Sequence, residues 1–459
     1  MIKIQSLFFT LLAAMAFASL HAQTSVPNYI DTDQNWTAAG SPYTLSANTY
    51  LADGAFIRIE PGVTVVASKA LQFIIDGRLE AVGKPDSMIH LEGFQVRLQA
   101  KAAGYDLTAD TGAQFKFCHF YGQANSGTYS IYNECSGVDI EHCRMEDAYY
   151  GVYNRFSSKL GIVQVLHSCF PSSSKYGYPI YTSGQGMLNV EYDTFENQYS
   201  VYGYGTDIQF NRNWVKGTGS VTVSVYGSLE MECNRFENMA TGFQLNCWGY
   251  YDTLKVQATG NTFDSCGGSF YPMMSISGST PDSSKPIIAH LNRNNFLRYS
   301  GTGQKIKFTG TNKNPAAGWD FDFSNNYWNS QDTQQIADWI HDYSDDIMVW
   351  AKAHADNPVA LLIDDCGDHT AQVALKLDDI QVRIYPNPSS DETIGIIVNG
   401  GFDSYMLINS QGQVVGAGSG SIQSRSELQW PASSGIGIYH LVLTKEGRSI
   451  SQTLIRQAH

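Results

Sequence analysis

Several acids fall where they would suit work on a polysaccharide. Glu141, Glu191 and Asp207 lie on neighbouring units of a repeat set out below, with Glu146, Asp147, Asp193 and Glu196 as further acids. Glycoside hydrolysis needs two carboxyl groups about 5 to 9.5 Å apart, one to protonate the leaving oxygen and one to attack or to activate water. Arg212, with Arg144, Arg155 and Arg235, could neutralise a sugar carboxylate for lyase chemistry, which usually also draws on a metal. In so acid-rich a chain such proximity arises by chance, and no zinc-ligand spacing, phosphate loop or serine elbow accompanies it. A second series points to binding. Tyr153, Tyr181, Tyr202 and Tyr226 each follow an aliphatic residue, and Tyr204, Trp248 and Tyr250 extend the series. Flat rings repeated once per unit would stack against the faces of an extended glycan, or simply stabilise a sheet. The residues therefore favour non-catalytic binding of extracellular glycans or host macromolecules. The alternative is a polysaccharide lyase or glycoside hydrolase.

The units that must position these side chains share one template, repeated nine times. Two apolar residues stand two apart, as in Val138/Ile140, Val163/Val165, Leu188/Val190 and Leu229/Met231. A bulky residue follows five positions after the second: Phe120, Met145, Phe170, Phe195, Val215, Phe236, Phe263, Phe296 and Trp328. A fixed template with variable insertions marks stacked repeats, and residues two apart share one side of a strand. Stacking such turns at the strand spacing makes parallel sheets around one continuous core. With two or three less regular turns before Cys118, about 11 to 12 turns are expected, some 55 Å of stack. Two positions before each bulky residue stand Cys118, Cys143, Ser168, Asp193, Asn213, Asn234, Asn261, Asn294 and Asn326. Polar groups facing a core must be satisfied, so Asn213 to Asn326 are expected to form an internal ladder. Asparagine also tolerates the left-handed backbone that sharp corners need.

The segments Ile59-Glu60-Pro61-Gly62-Val63 and Gly77-Arg78-Leu79-Glu80-Ala81-Val82-Gly83 resemble the opening of secreted right-handed parallel β-helix proteins of the pectate-lyase-like fold. Asn325-Asn326-Tyr327-Trp328, with Ile336, Ile340 and Asp342-Tyr343 after it, is similar to the closing turn and helix of bacterial members, although Asn329 replaces their usual glycine. The resemblance covers residues 31 to 355 and implies the fold rather than a chemistry. Residues 31 to 50 are expected to cap the first turn, and a helix over Thr333 to Trp350 the last.

Residues 1–22 read as a secretory signal, with Lys3 before an apolar run from Leu7 to Leu20 and a cleavage point after Ala22. No later stretch is apolar enough to cross a bilayer. The formal charge of −14 argues against nucleic acid or an anionic membrane surface as partner. The acids Asp342, Asp345, Asp346, Asp356, Asp364, Asp365 and Asp368 suit a solvated linker, with calcium as the alternative and no metal site otherwise indicated. Eight cysteines in an exported chain permit disulfides. Cys118 and Cys143 occupy equivalent places in adjacent turns, which suits either a bridge or a reduced stack. Cys233, Cys247 and Cys266 are candidates for pairing across nearby turns, with Cys366 alone near the linker.

The reading divides the chain into a β-helix at 23–355, an acidic linker at 356–379 and a β-sandwich at 380–459. The last unit would, taken neutrally, be a carbohydrate-binding module. Its Tyr385-Pro386-Asn387-Pro388, Asn409-Ser410-Gln411-Gly412-Gln413-Val414 and Gly435-Ile436-Gly437-Ile438-Tyr439 resemble the C-terminal sorting domain of the type IX secretion system, with Arg456-Gln457 replacing the usual closing basic pair. That resemblance implies a Bacteroidota-type host and passage through the periplasm to the medium or the outer-membrane surface. It also implies the secretion machinery as partner and attachment to surface lipopolysaccharide as one fate.

Overall fold

The computed structural model of the chain describes residues 23–366, apart from 122–127, 147–148, 156–160, 172–176, 185, 197–199, 205–206, 218–220, 226, 249–253, 280–286, 300, 302, 311–318, 347–348, 350 and 364–365. Beyond 381 it describes the strands of a second unit. The first 22 residues and the acidic stretch after Cys366 lie outside the described residues. The chain divides into two compact units, Met1–Ala371 and Gln372–His459.

The first unit is a parallel β-helix. One turn contributes a strand such as Gly137–Glu141, a sharp bend, a short strand Arg144–Met145 and a third strand Tyr150–Arg155, each paired in parallel with its counterparts one turn away. The apolar pairs of the template lie in register, Val138 opposite Val163, Leu188 opposite Ile208 and Leu229 opposite Val256, all buried. The bulky residues stack behind them. Phe170 and Phe195 lie 4.9 Å apart, Phe236 and Phe263 4.8 Å, and Phe296 and Trp328 4.4 Å, so one aromatic spine fills the core.

The stack is longer than the repeat count suggests: the sheet holding the template strands has thirteen strands. The extra turns come from the segment expected to cap the first turn and from a strand just beyond the expected closing helix. Gln34–Trp36 pairs with Phe56–Ile59, Tyr43–Leu45 pairs with Thr64–Ile75, and Ala351–His354 pairs with Trp319–Asp322. The closing helix is correspondingly short. It spans Thr333–Asp338, with the Asp332 side chain accepting from the N–H groups of Gln334 and Gln335. Ile336 is buried beneath it, but Ile340 belongs to a strand pairing with Ile306 rather than to a longer helix. Ile347 and Trp350 lie outside the described residues.

The asparagine ladder is present, with one correction to the corner. Asn213, Asn234, Asn261, Asn294 and Asn326 are buried, and each of the first four donates Nδ2–H to the Oδ1 of the next, at 2.8 to 3.3 Å. Each Oδ1 from Asn234 onward also accepts the backbone N–H of the residue one turn earlier. Yet the left-handed corner residue is the one before the ladder residue: Phe117, His142, His167, Tyr192, Arg212, Cys233, Arg293 and Asn325 have φ between 51° and 60°, and Gly260 has φ 71°. The bend turns the preceding side chain outward and the following one inward. The ladder side chain thus satisfies the backbone around a bend that is itself unfavourable for an L-residue.

Of the two arrangements open to Cys118 and Cys143, bridge or reduced stack, the structure has the reduced one: both thiols are free and buried, donating to Ala81 O and Phe115 O. The disulfide is Cys233–Cys366. Cys366 is therefore not alone, and the chain after residue 355 runs back along the helix before reaching it. Asn325 N–H donates to Asp356 O, Val359 N–H to Asn326 O and Ile363 N–H to Asn295 Oδ1. A glycine is needed at 260 because a Cβ there would meet Cys366 Sγ at 2.5 Å.

The second unit has two antiparallel sheets, of three and four strands, as expected of a β-sandwich. Gly437–Lys445 and Arg448–Arg456 form the closing antiparallel pair, with Lys445 opposite Arg448.

Candidate binding face

The third strand of each turn carries the tyrosines. Tyr132, Tyr153, Tyr181 and Tyr202 pair in register. Their rings form one half-buried column with centroids 5.1, 4.8 and 4.8 Å apart and planes within 8° of parallel. Every inner ring is thus covered on both faces by its neighbours. The Arg97 guanidinium lies over Tyr132, 5.2 Å from its centroid, and pairs with Glu134 at 3.3 Å, closing the upper end. At the lower end Tyr202 lies opposite Ser224. The next partner in sequence was expected to be Tyr226, which lies outside the described residues, as do Tyr250 and the side chains of Tyr204 and Trp248.

A second set of tyrosines, which the aliphatic-Tyr pattern overlooks, flanks the column. Tyr129, Tyr150 and Tyr178 stand three residues before Tyr132, Tyr153 and Tyr181 and lie opposite one another across the turns. Tyr150 meets Tyr153 at 78° and Tyr181 at 73°, with centroids 5.0 and 5.9 Å away. Because the faces of Tyr153 and Tyr181 are taken, Tyr150 must receive their edges on its own face. It lies flat along the column beside Tyr178, whose plane is within 15° of its own. Tyr149 packs across both at steep angles. Burial, reinforced by the neighbouring phenols, pushes the Tyr150 hydroxyl up to about 12. Three repeats of Tyr-x-Ile/Val-Tyr at 129–132, 150–153 and 178–181 were the signal for this set. The residue after each, Asn133, Asn154 and Thr182, is fully buried, and Asn133 Nδ2–H donates to Asn154 Oδ1 at 2.6 Å as a second, shorter ladder.

No family model, curated protein or solved structure matches this chain. What the face can do must be read from its own geometry.

The acids named from sequence do not converge. Glu141 and Glu191 occupy one outward column but are separated by the turn bearing Leu166. Asp207 lies opposite Met187, at the far end of the strand whose last residue is Glu191, about 13 Å away at roughly 3.3 Å per residue. Asp207 is also occupied, accepting from the backbone and hydroxyl of Ser228 at 2.8 and 2.7 Å. Arg212 sits at a corner, 3.9 Å from Glu191 and over the Tyr192 ring.

A different cluster does form. Lys116 Nζ lies 3.4 Å from Asp110, 3.1 Å from Asp139 and 3.3 Å from Glu141. Burial opposes the lysine charge, but the three carboxylates more than offset it and hold its pKa above the usual value. Burial pushes Asp139 up, with Lys116 opposing. Asp139 is fully buried, and Tyr105 N–H closes over it by donating to Gly137 O. The cluster is a network of three carboxylates held on one lysine, with Asp139 buried and Asp110 exposed, rather than an open pair of carboxylates. Beside it the outward corner residues Phe117, His142, His167 and Tyr192 stack at 4.5 to 4.9 Å.

Among the described residues no three His, Cys, Asp or Glu side chains gather to hold a metal ion. Asp342, from the acidic run, instead accepts from the N–H groups of Ser344 and Ala353, both at 2.7 Å. No described helix is long and apolar enough to cross a membrane.

Proposed function

We propose that this chain is an exported surface or secreted protein whose β-helix holds an extended extracellular glycan on its tyrosine face without cleaving it. The observation that carries this reading is the gathering of Tyr129, Tyr132, Tyr149, Tyr150, Tyr153, Tyr178, Tyr181 and Tyr202 on four consecutive turns. Tyrosine offers a flat apolar ring and a hydroxyl on one stiff side chain, the combination that a sugar chain requires. The column contributes edges and hydroxyls at one per turn, and the flanking pair Tyr150 and Tyr178 contributes the broader ring surface. The N-terminal segment 1–22 would direct export. The C-terminal unit would be a type IX sorting domain, taking the protein across the outer membrane for release or for attachment to lipopolysaccharide.

The enzymatic alternative, a lyase or hydrolase, loses support from the separation of Glu141, Glu191 and Asp207. A glycan array followed by product analysis on each hit separates the two. Binding that Tyr150→Ala and Tyr178→Ala together abolish, with no new reducing or unsaturated ends, supports the binding role. New ends would replace it with the enzymatic one, and binding indifferent to both substitutions would move the site elsewhere.

A further inference from the structure

We infer that the tyrosine column is a site of oxidative cross-linking, in which adjacent rings on successive turns join as dityrosine and rivet the turns together. The inference is independent of whether the face holds a glycan. Coupling of two phenoxyl radicals forms a carbon–carbon bond between ring carbons ortho to the oxygens. The unpaired density there lies in lobes perpendicular to the ring plane. Two rings must therefore approach face to face, with like carbons above one another. Tyr132, Tyr153, Tyr181 and Tyr202 hold that arrangement at rest: the strands are in register, the planes are within 8°, and the centroids are 4.8 to 5.1 Å apart. Holding the partners in this pose makes the coupling effectively unimolecular. The flanking contacts of Tyr150 with Tyr153 and Tyr181, at 78° and 73°, lack the required overlap.

The step needs a one-electron oxidant, here hydrogen peroxide acting through a peroxidase. Each of two phenols gives up one electron and one proton. The two radicals couple, and each ring then moves its ortho hydrogen to oxygen as a proton to become aromatic again. Two phenols and one peroxide give one biphenol and two waters. The oxidant can reach the rings because the column is only half-buried. The free cysteines that could intercept a radical, Cys118, Cys135, Cys143, Cys247 and Cys266, are buried, with Cys169 partly so.

The test treats dilute full-length protein with peroxidase and limiting peroxide, then follows dityrosine fluorescence, gel mobility and the masses of cross-linked peptides. The expected product is a monomer lighter by two hydrogens, with the Tyr153 peptide joined to that of Tyr132 or Tyr181, or Tyr181 to Tyr202. Tyr181→Phe keeps the stack but leaves one of three phenol–phenol contacts, so the yield should fall about threefold. Cross-links only between chains, no link within the column, or a yield of column-linked peptides unchanged by Tyr181→Phe would each overturn the inference.

Discussion

Asn234 donates its side-chain N–H to the Oδ1 of Asn261 on the following turn at 2.8 Å, and that same oxygen accepts the backbone N–H of Asn234 at 2.9 Å. The second hydrogen of the Asn234 amide goes back to Phe210 O at 2.6 Å, and its own Oδ1 serves Asn213. One side chain thus satisfies buried groups on the turns before and after its own. Asn234→Ala is expected to lower the unfolding free energy by about 3 kcal/mol, since it strands several buried polar groups at once. Chemical denaturation measures it. A loss as small as that of an exposed substitution would mean the ladder is not holding the bend.

Asp193 occupies a rung of this ladder with a carboxyl in place of an amide. Its Oδ1 accepts the Ser168 N–H, whereas its fully buried Oδ2 has no hydrogen-bond partner. Burial raises its pKa well above the carboxylate range, against the Ser168 bond, and Cys143 and Glu191 push the same way. A raised folded-state pKa means the native state holds the proton more tightly than the unfolded state. Stability is then fully present below the ordinary aspartate range and is lost as pH rises toward the folded value. Asp193→Asn should be more stable than the parent near neutral pH, with an advantage that shrinks on acidification. Parallel melting curves from pH 4 to 8 decide it; a difference independent of pH would show that Asp193 does not titrate there.

The Cys233–Cys366 bridge spans a sequence separation of 133 residues. Chain entropy alone puts its contribution at about 5 kcal/mol, an upper value for a stack whose turns contact only their neighbours. Cys366→Ser should cost stability and make the segment from Asp356 to Ile363 sensitive to protease. Gly260→Ala should be less costly in the Cys366→Ser background than in the parent, because the side chain at 366, no longer bonded to Cys233, can move away from the added Cβ. Additive effects in a double-mutant cycle would count against that contact.

Lys305 is buried near the closing helix, donating to Trp328 O at 3.0 Å with its ammonium 3.5 Å from the Trp339 ring centroid. Burial lowers its pKa to about 8. Between that value and the ordinary lysine range the unfolded state holds a proton that the native state has released, so this residue makes stability rise with pH through that window. Lys305→Met should flatten the rise in denaturation midpoints measured from pH 7.5 to 10. An unchanged slope would assign the rise to other groups.

The template was legible in the sequence because the core accepts only apolar residues on one side of each strand. The register of Val138, Val163 and Leu188 follows directly from it. The corner was not, since Phe117, His142, Tyr192, Arg212 and Cys233 share only a backbone conformation, and no side-chain type announces it. The tyrosine face was half legible. Val221, Val223 and Val225 alternate on a strand where any of the three could face inward, so the pattern alone allows several registers; the structure sets Val223 opposite Val201 and leaves Tyr202 opposite Ser224. Cys366 was beyond reach, because a disulfide across so much chain depends on how the segment after residue 355 folds back.

The ladder has a direction that its hydrogen bonds leave unstated. In each asparagine from Asn234 to Asn326 the carbonyl oxygen faces the preceding turn. The side-chain amide dipoles are therefore aligned head to tail inside the core, as peptide groups are in an α-helix. The negative pole of this row lies at Asn213, whose Oδ1 meets the backbone N–H of Asp193. An ionised carboxylate placed there would face the oxygen end of the array. The field of the row thus favours a protonated acid on that rung, and the thiols and hydroxyl of Cys118, Cys143 and Ser168 continue the line without adding a charge.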